Sequence, residues 1–543
     1  MPSATATAET AKRADGVRDT IDSIIVALIL AFVFRAFIVE AFIIPTGSMG
    51  PTLYGAHIEH RCRNCGYTYA VGVREDDLHE SFVVICPNCA YALDRIETRG
   101  RPRPTSAGDR ILVHKWPFDI SMERLGPQRW DVIVFKDPKD GKQNYIKRLI
   151  GMPQQVLEIL DGDIYAASAS AVPESLRAAL LRPPAPGHAR ALPEADRSAL
   201  DRALRIQRKP RSAQESLWML HYDHDYPPLE RHGDAPAWEE AGGPEPSGWN
   251  AQTPVVTFDG RSGEHALALT GKPIRDFFAY NREMLNAIGM QQLRTVGDVR
   301  LRFVLTPRGR SGELAMLLTK REDEFRATLH ADGRVTLAHR GDPRRRMREL
   351  ASAHSDAISP GRPVHVEFEN VDYRVTLRIN GRTVLATTDA QYAPDPGRLR
   401  GLRDGEGRPP RVALIASGLP LDARHLAVHR DVYYRSVAGD AGGGLFQENS
   451  VPGWGTPGRP IYLRADEFFV CGDNSPASKD SRMWTASEAA EFLRGRGEAY
   501  QAGTVPRDQL IGQAFFVYWP AGHRLGEYGL PVIPNVGRMR IIR

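Results

Sequence analysis

Three short segments of this 543-residue chain carry side chains that could do covalent chemistry together. Ser48 stands in Ile44-Pro45-Thr46-Gly47-Ser48-Met49-Gly50-Pro51-Thr52-Leu53, where two prolines and the glycines break any regular ladder and leave backbone amides free to face a substrate. Lys147 stands in Tyr145-Ile146-Lys147-Arg148-Leu149-Ile150-Gly151, an apolar, strand-like run that would take its amine out of water. Gly472-Asp473-Asn474-Ser475-Pro476-Ala477-Ser478-Lys479-Asp480-Ser481-Arg482 is dense in small polar and charged groups. A serine hydroxyl must lose its proton as it attacks, and none of the three segments holds a histidine to take it. His114, the nearest candidate, reads as a strand-end residue. A lysine can serve only as the free amine, so its reference pKa of about 10.4 must fall by several units, which burial against Ile146, Leu149 and Ile150 can do. The plain alternative is a solvated strand lysine.

Four of the five cysteines fall as Cys62-x-x-Cys65 and Cys86-x-x-Cys89, with twenty residues between the pairs. This is the spacing of a closed tetrahedral zinc site, and a structural zinc is the expectation, against two disulfides or a redox-active pair. Four thiolates complete such a site, so His57 and His60 are bystanders. Cys471 has no partner and reads as a small buried residue. The run His221-Tyr222-Asp223-His224-Asp225-Tyr226 would put His221, Asp223 and Asp225 on one face of a strand, a weak metal-binding pattern against a polar loop.

The elements that must position these groups divide the chain into blocks. Residues 1–20 read as a cytoplasmic tail. Residues 21–40 are almost all Ile, Val, Leu, Ala and Phe, long enough for a membrane helix of about 20 residues if Asp22 and Arg35 reach the interfaces. The rival is the apolar part of a cleaved signal peptide, but no small-x-small cleavage site follows, so an uncleaved anchor is expected. Residues 41–60, 100–165 and 461–543 carry strand-like runs and all three chemical segments. Residues 61–99 form a zinc-ribbon-like insertion. Residues 166–248, rich in Ala, Pro, Leu and Arg, read as short helices and loops. Residues 249–438 hold many short alternating strands, with Asn380-Gly381 as a hairpin turn, and predict a β-sandwich or jelly roll. Residues 439–460 are a Gly-rich linker. The predicted class is therefore mainly β. A net charge of +5, spread along the chain, gives no nucleic-acid footprint.

Taken in order, these pieces resemble the type I signal peptidase family, membrane-bound serine proteases that remove signal peptides from exported proteins. Gly108-Asp109-Arg110-Ile111-Leu112-Val113-His114-Lys115 and Arg129-Trp130-Asp131-Val132-Ile133-Val134-Phe135 look like strands of that family's core. The resemblance implies Ser48 as nucleophile and Lys147 as general base. It also implies Ser478 as the hydroxyl that positions the lysine, with Asp480 and Arg482 as a supporting ion pair, whereas Asp473 and Asn474 read as structural residues that shape the Gly472 turn. Thr46 stands where the family often has a serine whose hydroxyl joins the Ser48 amide in an oxyanion hole. Further implied are cleavage after small residues at Ala-x-Ala sites, exported preproteins and the lipid bilayer as partners, and a catalytic domain outside the cytoplasmic membrane. No cofactor is needed for the reaction. Departures from the family pattern are Trp130 in place of glycine, Pro153-Gln154-Gln155 in place of Pro-Gly-Asp, Cys471 for a larger apolar residue, and two long insertions. A different class of function also fits: a membrane-tethered binding protein whose sandwich takes glycan or protein and whose peptidase core is vestigial.

Overall fold

Runs of Val, Ile, Leu, Phe and Tyr at alternating or continuous spacing build most of the molecule from antiparallel strands. The computed structural model describes residues 4–73, 84–93, 105–119, 126–182, 192–241, 247–281, 293–402, 408–435, 453–522, 533 and 535–543, side chains of residues 4–18, 34, 36 and 119 excepted. Residues 439–452 of the Gly-rich linker lie outside these residues.

One sheet carries all three chemical segments. Its strands run in the order Val39–Ile43, Arg110–His114, Leu510–Trp519, Val132–Lys136, Asn144–Gly151, Glu467–Cys471 and Val505–Pro506. The Ser48 loop follows the first strand, Lys147 lies within the fifth, and the Gly472 loop follows the sixth. Chain segments more than 400 residues apart thus meet across one sheet end. Met49 and Leu53 are fully buried in the core beneath this sheet, with Ile111, Val113, Val132 and Val134. Each such side chain contributes about 1.5–3 kcal/mol. Burial of these two flanking residues seats a loop that has little regular hydrogen bonding of its own.

Lys147 pairs with Ile133 in register, and Arg148 pairs with both Val132 and Cys471. Neighbouring residues face opposite sides of a strand. Both are nevertheless buried, because this strand is covered on both faces.

A smaller sheet, Arg205–Ile206, Asp163–Ser168, Gln155–Leu160 and Ile461–Leu463, leads from this sheet to the insertion. The insertion is a sandwich of one eight-stranded and one seven-stranded sheet around a large apolar core. The Asn380-Gly381 hairpin forms as expected, with φ +49° and +76° joining Arg374–Ile379 to Arg382–Ala386.

Several expectations are corrected. Within residues 166–248, three helices do form, at Glu174–Leu181, Glu194–Ala203 and Arg211–Leu217. However, Met219–Asp223 pairs with Leu421–Arg430 and Ala237–Ala241 with His265–Thr270, so the sandwich sheets take strands from well before residue 249. The strand-like stretch that opens residues 461–543 is split between two sheets, as Ile461–Leu463 and Glu467–Cys471. The N-terminal helix runs Ala4–Phe37, and Val39 already begins a strand, so the helix ends short of residue 40. Among the described residues no helix is long and apolar enough to cross a membrane.

Two departures from the family pattern have a backbone explanation. Trp130 holds φ +77° and Gln154 φ +59°, the left-handed region in which glycine is favoured. Trp130 is held there by packing: its indole N–H donates to the Arg208 carbonyl at 3.1 Å, and the Lys209 amine lies 5.5 Å from its ring centre.

Candidate active site

The Lys147 amine donates to Ser48 Oγ at 2.7 Å and to the Ile146 carbonyl at 3.1 Å. Lys147 is fully buried, and this burial pulls its pKa down to about 8. The field of Asp480, then Asp473, opposes that fall, and Arg482 reinforces it. Neither carboxylate is free to pair with the amine. Asp480 forms a buried salt bridge with Arg482 at 2.7 Å and accepts the Gly472 N–H at 2.9 Å. Burial pushes the Asp480 carboxyl up, but Arg482 and the hydrogen bonds outweigh it and hold it below its ordinary value. Asp473 is gripped by Arg148 through two bonds of 2.7 Å, with both side chains wholly inaccessible.

Arg148 is the residue that the sequence concealed. Beyond Asp473 it donates to the Trp130 carbonyl at 2.7 Å and to Thr52 Oγ1 at 3.2 Å. It therefore ties the lysine strand, the Gly472 loop and the end of the Ser48 loop to one guanidinium. The available signal was a second cation in an apolar strand next to Lys147, a position with no water to solvate it.

Ser478 is buried against Gly472, where an added Cβ would meet its Oγ at 2.3 Å and the Ser48 carbonyl at 2.4 Å. Its hydroxyl lies near enough to Asp480 to help hold that carboxyl low, yet makes no geometric hydrogen bond there or to Lys147. Thr46 is exposed, and among the described residues neither its hydroxyl nor the Ser48 amide has a hydrogen-bond partner. Asn474, expected only to shape a turn, reaches further: its amide donates to the Gly47 carbonyl at 2.9 Å and its backbone N–H to the Ser48 carbonyl at 3.0 Å. His114 stacks on Phe515 at 3.6 Å between ring centres, with its pKa lowered by burial.

The four cysteines converge, with Sγ atoms of Cys62 and Cys89, and of Cys65 and Cys86, 3.6 Å apart and all four within 4.8 Å. None is in a disulfide. Tetrahedral coordination with bonds of about 2.3 Å places sulfurs about 3.8 Å apart, so the set fits a zinc ion. Both pairs make the same knuckle: Gly66 N–H donates to the Cys62 carbonyl at 2.9 Å and Ala90 N–H to the Cys86 carbonyl at 3.1 Å. Both Gly66 and Ala90 have positive φ, at +76° and +58°. His221, Asp223 and Asp225 do not converge. A bulge between Leu220 and Tyr222 breaks their alternation, His221 is buried, and Asp225 pairs with His425 at 2.7 Å.

A family model described as "Signal peptidase, peptidase S26" matches residues 81–198 and 369–519, just under half of the chain. Lys147 lies in the first stretch and Ser478, Asp480 and Arg482 in the second, whereas Ser48 precedes both. Among similar curated proteins, Signal peptidase I of Rickettsia bellii is 27% identical over 143 residues, 26% of this chain and 37% of that protein. Signal peptidase I of Pseudomonas fluorescens is 28% identical over 138 residues, 24% of this chain and 30% of the relative. The chain thus spans about a third of the length of these relatives. Solved structures with similarity include a carbohydrate-binding module, CBM66, from Bacillus subtilis, at 11% identity and TM-score 0.24 over 35% of this chain and 94% of that one. A laminarinase catalytic domain from Thermotoga maritima matches at 9% identity and TM-score 0.27 over 39% and 98%. Scores this low support no assignment.

Proposed function

The chain belongs to the type I signal peptidase family, and from that premise we propose that it is a membrane-held serine endopeptidase that removes signal peptides from exported preproteins. The observation that carries this reading is the 2.7 Å contact between a buried Lys147 amine and Ser48 Oγ. As the free amine, Lys147 takes the Ser48 proton while Oγ attacks the scissile carbonyl. The ammonium then returns that proton to the leaving amine, and a water activated by the same lysine hydrolyses the acyl-enzyme. The unpartnered Ser48 N–H and the Thr46 hydroxyl are the donors for the developing oxyanion; removing one such donor costs about 3–4 kcal/mol in the transition state. Ser478, with a buried and uncommitted hydroxyl, is the group that orients the amine. Asp480 with Arg482, and Asp473 with Arg148, hold the loop and keep carboxylates away from the lysine.

Although no helix among the described residues meets the length and apolarity of a membrane span, the apolar stretch of the first helix is the proposed anchor. Ile24, Leu30, Phe32 and Phe37 are 54%, 62%, 67% and 64% exposed, an all-round apolar surface that water does not favour. With the N-terminus cytoplasmic, Ser48 then lies just outside the inner membrane, where signal peptides emerge. A structural zinc on Cys62, Cys65, Cys86 and Cys89 would lock the inserted ribbon, and metal analysis should find about one zinc per chain.

Purified full-length protein in detergent should cut a preprotein with an Ala-x-Ala site, and Ser48→Ala and Lys147→Ala should each abolish cutting. Activity retained in either variant defeats the dyad.

A further inference from the structure

The sandwich insertion sends an arm, residues 274–281, into the nucleophile loop. Near its start Asp276 forms a buried pair with Arg435 at 2.6 Å. The backbone of Arg435 is held by the Gly472 loop: its N–H donates to Ser475 Oγ at 2.9 Å, and its carbonyl accepts from Arg482 at 2.9 Å. At the far end Asn281 and Asn474 exchange two side-chain hydrogen bonds, of 2.6 and 2.7 Å. Asn474 is the residue whose remaining donors hold the Gly47 and Ser48 carbonyls. Between these ends the Tyr280 ring covers Gly47 so closely that a Cβ there would lie 1.9 Å from it, and Phe278 covers Gly50 at 2.9 Å in the same sense. The Tyr280 hydroxyl donates to the Ala56 carbonyl at 2.9 Å, and Ala279 is buried in the core of the cysteine module.

We propose that this arm is a built-in brace for the nucleophile, and that Asn281 is a positioning residue that fixes Ser48 through Asn474. The proposal rests on Ser48 being the nucleophile. A Pro/Gly-broken loop has few internal bonds with which to hold a reacting oxygen, so its geometry must be imposed from outside. Here the outer shell comes from an inserted domain, joined through an amide pair 193 residues apart in sequence. Without the Asn281 partner, the Asn474 side-chain amide is free to rotate, the Gly47 carbonyl loses its fixed donor, and the backbone N–H that holds the Ser48 carbonyl is left without that support. A displacement of about 1 Å at a reacting group costs about 100-fold in rate. The sandwich is thus part of the catalytic architecture.

The test uses the full-length protein and its Asn281→Ala and Asn281→Asp variants, with steady-state cleavage of a preprotein and hydrogen exchange of the backbone measured on each. The expected result is a fall in kcat of at least about tenfold with KM within about twofold, since the loop that orients the serine is loosened while substrate contacts remain. Exchange over residues 44–53 should quicken in both variants, and exchange in the sandwich strand Val364–Val371 should not. Unchanged exchange in the loop overturns the brace, and so does faster exchange with an undiminished kcat. If the unmodified protein cuts no preprotein, the peptidase reading falls and the exchange experiment alone decides the brace. Exchange that quickens throughout the sandwich in both variants marks general unfolding and also overturns it.

Discussion

Two groups of lysines are buried to the same degree in this chain and are driven in opposite directions. Lys147 meets a serine hydroxyl and a backbone carbonyl, and burial pulls it down to about 8. Lys320 lies 2.5 Å from Asp298 and 3.3 Å from Asp163, while Lys209 pairs with Asp372 and, at 2.9 Å, with Asp431. Burial acts on these two lysines as well, but the aspartates outweigh it and hold both well above their ordinary value. Desolvation alone therefore does not make a base. What distinguishes Lys147 is that its neighbouring carboxylates, Asp480 and Asp473, are each committed to an arginine. The proposed site is made as much by the partners withheld from the lysine as by the apolar residues around it.

The contrast is sharpest in Lys320→Met. Removing one partner of a buried cluster leaves Asp163 and Asp298 uncompensated, and denaturant unfolding should show a loss of about 3–5 kcal/mol. Lys147→Met should do the reverse. At pH 7 the buried ammonium costs stability relative to the unfolded chain, so this variant should lose cleavage and gain up to about 3 kcal/mol, read in the same unfolding experiment. If both substitutions destabilise equally, the two environments are not distinct.

A third prediction follows from the sign of the shift. With Lys147 as the proposed base, and with burial pulling its pKa in the fold to about 8, kcat/KM should fall about tenfold for each pH unit below about 8 and level off above it. Stability moves in the same sense through a higher window. Between about 8 and the unfolded value of about 10.4 the unfolded chain binds a proton that the native lysine does not, so unfolding free energy should rise with pH there. For Lys320 and Lys209 the contribution is complete below about 10.4 and is lost only as pH climbs through their raised folded values. The smallest effect expected is a control that touches neither lysine. Gln154 is exposed and holds φ +59°, so Gln154→Gly should relieve backbone strain and stabilise by about 1 kcal/mol, with cleavage unchanged.

The chemistry was more legible in the sequence than the framework that supports it. Lys147 could be singled out because its apolar neighbours lie beside it in the chain, and the cysteine pairs because their spacing is local. Asn380-Gly381 announced its hairpin for the same reason. Arg148 was invisible as a structural hub, since its partners Asp473, Thr52 and the Trp130 carbonyl come from three separate stretches. The strands Met219–Asp223 and Ala237–Ala241 went unread because a bulge breaks the alternation of the first and the second carries Glu239 and Glu240 at a sheet edge. Asn281 carries no local signal at all. Its role exists only once the sandwich is folded against the peptidase core.

The most direct test is to titrate Lys147 itself. In a full-length Ser48→Ala protein with isotope-labelled lysine side chains, the resonance missing from Ser48→Ala, Lys147→Met identifies the residue, and its shift is followed with pH. A midpoint near 8 is the predicted result. A midpoint at about 10 or above, the range of an ordinary solvated lysine, would contradict a neutral-amine base.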